Sequence, residues 1–539
     1  MKPPELDLPR PEASALQGVH VDVYDTTLRD GTQREGISLT CGDKLRIARR
    51  LDQLGVAFIE GGWPGSNPKD VEFFRRARDE AFTQALVTAF GATRRAGLAP
   101  EGDPSMRALL DADTRVCTLF GKSWTLHVTA VLRTTLDENL RLIEDSVGFL
   151  RAHGRRVIYD AEHFFDGWVA DRPYALATLR AAFLGGAEAL VLCDTNGGSM
   201  PWDVARAVAE VRAALPEATI GVHTHNDGEC AVANALAAVR AGARHVQGTI
   251  NGYGERCGNA NLCSIIPDLE LKLGARALPE GRLGHLSDVA RFVADVANLA
   301  LDEHLPFVGK SAFAHKGGVH VAAMRRDPRS YQHIEPERVG NVSRTVLSEL
   351  SGVGNVRTKL EELGLEADGA EREILEEIKQ REAAGQSFEA AEATAALLLR
   401  RRAPGYTAPF SLLDFKVMVG HRGGQCSSEA TIKIAVGPEI LHTAAEGNGP
   451  VSALDAALRK ALAPAFPGVL DIQLVDYKVR ILDGRDGTGA VTRVLIESSD
   501  GRQSWCTAGA SANILEASWQ ALADSFEFAL GARAEGAAA

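Results

Sequence analysis

The chain has 539 residues, 45% of them hydrophobic and 24% charged, a composition that buries a large core and excludes a disordered or fibrous polymer; at roughly 150 residues per domain it calls for more than one folded unit. Its formal net charge of −12 excludes a general affinity for nucleic acid or anionic membranes. The 8 cysteines form no Cys-x-x-Cys pair, the amino terminus is polar, and no run approaches the ~18 apolar residues of a membrane span, so a cytoplasmic protein without a membrane segment is expected.

From residue 20 onward, short β-branched runs alternate with segments of helical spacing. Strands are predicted at His20–Asp25, Val56–Gly61, Ala85–Phe90, Arg115–Phe120, Arg156–Asp160, Ala189–Asp194, Thr219–His223 and Arg244–Ile250. Helices are predicted over Asp43–Leu54, Leu136–His153, Pro201–Leu215 and Gly228–Ala241, with Thr135 and Glu138 in a capping-box pattern and Pro201 in a first turn. Alternation of this kind requires a parallel sheet, and the number of units predicts a closed (β/α)8 TIM barrel over residues 19–283, with its chemistry at the carboxyl ends of the strands. Residues 284–403 read as a helical linker region, including Ser287–Leu301, Ala370–Arg381 and Ser387–Arg401. Residues 404–531 read as an α+β domain with a duplicated strand-strand-helix unit. Gly447–Pro450 and Gly509–Asn513 are expected to offer free backbone amides at the two helix starts.

The barrel strand ends collect polar residues. His223 and His225 are two apart, so both imidazoles project inward, where Asp30 after the first strand can join them. This mixed nitrogen and oxygen set, without thiolate pairs, suits Mg²⁺, Mn²⁺ or Zn²⁺ at an open site; the alternative is a hydrogen-bonded polar cluster. Asn259 can add a neutral oxygen. Arg29 brings a fixed positive charge for a carboxylate or a developing oxyanion, or else forms a salt bridge with Glu60 or Glu162. Glu162 reads as a general base, or as the partner that fixes the tautomer of a histidine ligand. The glycines of Asn251–Asn261 fit close backbone approach to a ligand or an ordinary tight loop. No phosphate-cradling GxxxxGK[ST] segment and no serine nucleophile elbow is present.

Three motifs in order, Asp25–Gln33 (DTTLRDGTQ), His223–Asp227 (HTHND) and Asn251–Asn261 (NGYGERCGNAN), resemble the 2-isopropylmalate, homocitrate and citramalate synthase family of metal-dependent barrel enzymes. Gly61–Asp70 (GGWPGSNPKD), Phe120–Trp124 (FGKSW), Tyr159–Gly167 (YDAEHFFDG) and Ala312–His320 (AFAHKGGVH) are similar to its citramalate-forming branch. The resemblance implies condensation of acetyl-CoA with pyruvate followed by thioester hydrolysis. It implies Asp30, His223 and His225 as metal ligands with Asn259 at or beside the ion, Arg29 and Thr195 holding the keto acid, and Glu162, His320 and Tyr331 as the acid–base and water-activating set. It further implies a homodimer that shares its active site, and isoleucine feedback at the carboxyl-terminal domain. Val321 and Ala322 follow His320 where isopropylmalate synthases tend to carry Gln-Asp, which favours the citramalate branch. The rival readings are a synthase for another 2-keto acid, a metal-dependent aldolase or acyl-CoA lyase, and a non-catalytic amino-acid sensor.

Overall fold

The computed structural model describes residues 16–365, 369–422, 424–482, 487 and 489–538; the polar amino-terminal stretch noted above lies outside them. Eight parallel strands close into a barrel in sequence order. They are β1 (Asp22–Asp25), β2 (Phe58–Gly62), β3 (Leu86–Ala92), β4 (Val116–Lys122), β5 (Arg156–Glu162), β6 (Ala189–Asp194), β7 (Thr219–Thr224) and β8 (His245–Gly248). β1 completes the ring by pairing with β8, Tyr24 opposite Gln247. The expected TIM barrel is therefore the fold of this region. β1 starts later than the sequence suggests because His20 bridges to Arg276 instead, and β8 ends earlier because Asn251 turns the chain at a φ of 61°. β5 runs on to Glu162, so that carboxylate sits on the strand rather than after it.

Crossover helices follow the strands, as parallel pairing requires. The first, Cys41–Leu54, opens with a full Thr40/Asp43 capping box. The box expected at Thr135 forms only by half: its hydroxyl accepts the Glu138 amide, while the Glu138 carboxylate turns to Arg94 and Arg141. Pro201 opens its helix as predicted.

Alternation along the strands divides the barrel interior into layers. Tyr24, Phe58, Val116, Ile158, Ala189 and Val191 make an apolar floor. Above it lies a polar layer in which Glu60, Thr88, Thr118, Asp160 and Gln247 are all buried. The Tyr24 hydroxyl donates to Glu60 at 2.7 Å, so at its 2.7 Å contact with Thr118 the threonine is the donor. Buried polar groups of this kind are tolerable only when satisfied, and a satisfied network fixes one packing.

The described residues up to Phe313, with Ile334–Val342, make one compact unit; Ala314–His333 with Ser343 onward make a second. Within the second unit, helices Val353–Glu362, Glu371–Ala383 and Glu392–Arg400 pack around Val356, Ile378, Phe388 and Leu399. The last of these helices begins five residues later than predicted, since Ala391 closes a turn onto Phe388. In the first unit, the helix expected to reach Leu301 stops at Val296, and Asn298 takes a left-handed φ of 55° just beyond it.

The carboxyl-terminal repeat is larger than predicted. Each half is a three-stranded antiparallel meander and a helix: Ser411–Arg422, Gln425–Val436, Glu439–Gly447 and Pro450–Leu462, then Gln473–Ile481, Thr492–Ser499, Ser504–Ser511 and Ile514–Ala538. The first strand of each half escaped the sequence reading because its apolar residues do not alternate into a core: Leu413, Met418, Val475 and Ile481 are all exposed. Ile432, Ile434, Val494 and Ile496 instead face Leu458 and Phe526 in one shared core. The expected free amides at the second helix start are taken by side chains, Asn513 N–H by Ser511 and Leu515 N–H by Asn513. No helix among the described residues is long and apolar enough to cross a membrane.

His245 carries a testable consequence of this packing. It lies in the floor beside the Tyr24 and Phe58 rings at 5.2 and 5.7 Å, and burial lowers its pKa from 6.5 to about 4. An unfolded chain therefore takes up a proton below pH 6.5 that the folded chain refuses. This group's contribution to stability is intact above 6.5 and falls as the pH drops towards 4, by about 3 kcal/mol at full extent. Denaturant melts at pH 7 and pH 5 will show a smaller acid loss in His245→Gln than in the unaltered protein.

Candidate metal and substrate site

The turn after β1 presents Arg29 and Asp30, and the rest of its motif is scaffolding. Asp25 accepts from the Thr27 amide and hydroxyl at 2.9 and 2.8 Å. Thr26 donates to Gly248 O, and the Ile250 amide donates to Thr27, stitching the turn to β8. Burial raises the Asp25 pKa to about 7. In the loop after β8, a Cβ on Gly258, whose φ is 94°, would lie 2.1 Å from Gly252 O. The close approach that glycine permits here is of the loop to itself. Arg256 then anchors this loop, donating twice to Asp227 and once to Thr195 O.

At the mouth, Asp30, His223 and His225 are each at least nine-tenths buried and offer ligand atoms within 4.8 Å of one another, a group able to hold a metal ion. Asp30 Oδ2 lies 3.2 Å from His223 Nε2 and 3.9 Å from His225 Nε2, and the two Nε2 atoms are 3.2 Å apart. Burial opposes ionisation of Asp30, but Arg29 and the histidines outweigh it and hold the carboxyl far below the usual range. Burial also works against protonating His223, yet the Asp30 carboxylate lifts its pKa above the ordinary value. Burial, then the neighbouring His223, lower His225 to about 4, leaving it neutral with a lone pair to offer.

Gln247, which the sequence reading did not single out, sets the tautomer. Its amide nitrogen donates to Asp160 Oδ1 at 2.9 Å, which turns its oxygen to His223 Nδ1 at 2.8 Å. With an ion at the group, this contact would keep a proton on His223 Nδ1 and free Nε2 to face the ion between Asp30 and His225. The signal was available, since Gln247 stands on an inward-facing position of β8. Asp160 is raised to about 7 by burial and then by Glu60.

The remaining expected residues divide between two places. Arg29 donates Nε to Glu60 at 2.5 Å, sits 3.7 Å from Asp30 Oδ2 and lies over the Phe90 ring. The salt-bridge reading and the proximity to the candidate metal group are thus both realised. Glu162 pairs with the Lys122 ammonium, so holding a histidine falls to Gln247 instead. The Thr195 hydroxyl accepts the His163 amide at 2.9 Å. Arg29, Asp30, Glu162, Thr195, His223 and His225 line one cavity of about 210 Å³, together with Trp63, Phe90 and Phe120. Asn259 bridges His225 across an isolated β-bridge, and its buried Oδ1 has no hydrogen-bond partner. His320 and Tyr331 belong to the second unit, their rings stacked with centroids 4.2 Å apart.

A closed barrel with this buried group at its mouth is the setting in which the comparisons with known proteins fall. Residues 20–293 match the HMGL-like family, 307–386 the homocitrate synthase post-HMGL domain-like family and 389–530 the LeuA allosteric (dimerisation) domain. The class is an HMGL-like acyltransferase followed by these two domains. The (R)-citramalate synthase of Geobacter sulfurreducens is 52% identical, with 95% of this chain and 97% of that protein covered. That of Aquifex aeolicus is 49% identical, covering 95% and 98%. A probable 2-isopropylmalate synthase of Methanopyrus kandleri is 32% identical, covering 93% and 96%. The chain belongs to the (R)-citramalate synthase family.

Losing the Gln247 contact should show in metal affinity. Gln247→Leu is expected to weaken divalent-ion binding by about 10- to 100-fold, measured by chelator competition on the folded protein, whereas wild-type affinity would remove the tautomer argument.

Proposed function

We propose that the protein is an (R)-citramalate synthase that condenses acetyl-CoA with pyruvate and hydrolyses the resulting thioester to (R)-citramalate and free CoA. The near-full-length likeness to (R)-citramalate synthases carries this reading, because the charged and ligating groups of the site suit the carboxylate and carbonyl that all 2-keto acids share. The donor set fits a divalent ion, Mg²⁺, Mn²⁺ or Zn²⁺: Asp30 Oδ1 and Asn259 Oδ1 are buried without hydrogen-bond partners, a cost that an oxygen- and nitrogen-ligated cation offsets. Asp30, His223 and His225 would hold it, with Asn259 at or beside it. The ion supplies Lewis-acid polarisation of the keto carbonyl.

The chain's own residues do the rest. Arg29, fixed by Glu60 and the Phe90 face, places positive charge beside the keto acid and the oxygen on which negative charge grows. Thr195 takes part in holding the keto acid from the end of β6. Glu162, at the end of β5, serves as the base for a proton of the acetyl methyl group. That carbon then bonds to the keto carbon, whose oxygen becomes the alcohol. Water attacks the thioester and CoA leaves with a proton, steps to which His320 and Tyr331 contribute as acid–base and water-activating groups. A homodimer brings these two residues to the partner's barrel, and the LeuA-type domain takes isoleucine as its effector. The free thiols of Cys41, Cys117, Cys193, Cys230, Cys257, Cys263 and Cys426 suit a reducing cytoplasm.

Three keto acids separate this reading from its neighbours. CoA release is expected to be fastest with pyruvate; equal or faster release with 2-oxoisovalerate or 2-oxoglutarate would overturn the choice of substrate. His223→Ala should abolish turnover and lower bound metal, and full activity in that variant would refute the site. Added isoleucine should inhibit the full-length protein, and an unchanged rate at saturating isoleucine would remove the regulatory part.

A further inference from the structure

Resting on the synthase reading, we propose that Trp63 determines which 2-keto acids the site accepts, by forming the wall against which the keto acid's alkyl group must fit. The charged and ligating groups of the cavity, Arg29, Asp30, His223 and His225, come from the β1 and β7 ends. They suit the carboxylate and carbonyl that every 2-keto acid shares. The discriminating part of the substrate, its alkyl group, requires an apolar surface. That surface is three aromatic rings from the β2, β3 and β4 ends. Phe90 and Phe120 stack with centroids 5.2 Å apart, and Trp63 stands edge-on to both at 5.9 and 5.4 Å, with interplanar angles of 85° and 83°.

Two of these rings have electrostatic work besides. Phe90 lies under the Arg29 guanidinium at 3.7 Å, and Phe120 faces Lys122 Nζ at 5.3 Å. Trp63 has no cation over its ring among the described residues, so its size is free to serve discrimination.

Its placement is built from outside the cavity. The Trp63 amide donates to Asp70 Oδ2 at 2.9 Å, and its carbonyl accepts from the Ser66 and Asn67 amides at 3.0 and 3.1 Å. Asp70 is held by a buried ion pair with Lys44, which also donates to Gly61 O at 3.1 Å. Gly62, at φ 146°, lets Asp70 come this close: a Cβ there would sit 2.3 Å from the Asp70 carboxyl carbon. A buried Lys–Asp pair is a weak device for stability but a strong one for fixing geometry. Pinned at both backbone groups, Trp63 presents a wall that does not yield to a longer substituent, and small differences in such a pocket translate into ~10- to 200-fold discrimination per methylene.

The test measures CoA release from pyruvate, 2-oxobutanoate and 2-oxoisovalerate for the full-length protein and its Trp63→Ala and Trp63→Phe variants, with metal content and melting recorded for each. The kcat/KM ratio of 2-oxobutanoate to pyruvate is expected to rise by at least about tenfold in Trp63→Ala, and by less in Trp63→Phe. An unchanged ratio in folded, metal-loaded variants overturns the proposal. Should Trp63→Ala not fold, Trp63→Phe decides alone: a rise supports the wall and none refutes it. Should the unaltered protein prefer another keto acid to pyruvate, the function reading fails, while the wall is still judged by whether the variants shift preference towards longer chains.

Discussion

The buried pair of Arg29 and Glu60 is the interaction around which the barrel mouth is organised. Both carboxylate oxygens of Glu60 are engaged, one by Arg29 and the other by the Tyr24 hydroxyl, so the guanidinium is tied to the polar layer of the barrel. Its plane lies on Phe90 and its free edge approaches Asp30. Removing either partner would strand a charge at ~3–5 kcal/mol. Arg29 therefore does three things at once: it neutralises Glu60, depresses the Asp30 pKa and seats the aromatic wall.

A second chain of contacts runs through the other side of the same layer. Asp160 orients Gln247, Gln247 orients His223, and His223 with Asp30 and His225 defines the point where donor atoms meet. The two chains approach each other where Glu60 raises the Asp160 pKa. The acids of this layer, Asp30, Glu60 and Asp160, thus gather near one cationic group and one prospective cation site, which makes their burial compatible with a stable core.

Beyond the barrel, the duplicated carboxyl-terminal domain solves a different problem. Each meander covers one face with its helix and shares a core with its twin, while the first strand of each half keeps large apolar side chains on the surface. Exposed apolar strands of this kind suit contact between copies, in keeping with a LeuA-type dimerisation domain.

Alternation of β-branched runs with helical spacing made the barrel legible in the sequence, and the period of two by itself put His223 and His225 on one side of a strand. The family resemblance likewise implied roles for Arg29, Asp30, Glu162, Thr195, Asn259, His320 and Tyr331. The sequence offered Glu60 and Glu162 alike as partners for Arg29, and what it could not display were other partners distant along the chain: Glu162 with Lys122 rather than a histidine, Gln247 between Asp160 and His223, and Trp63 against Phe90 and Phe120. It also missed the outer strand of each repeat, whose apolar residues face solvent and break the expected alternation. Local periodicity is dictated by backbone geometry and so is written residue by residue. Which inward side chains share a layer is decided only when β1 closes on β8, because the ring's closure sets which strand ends face one another.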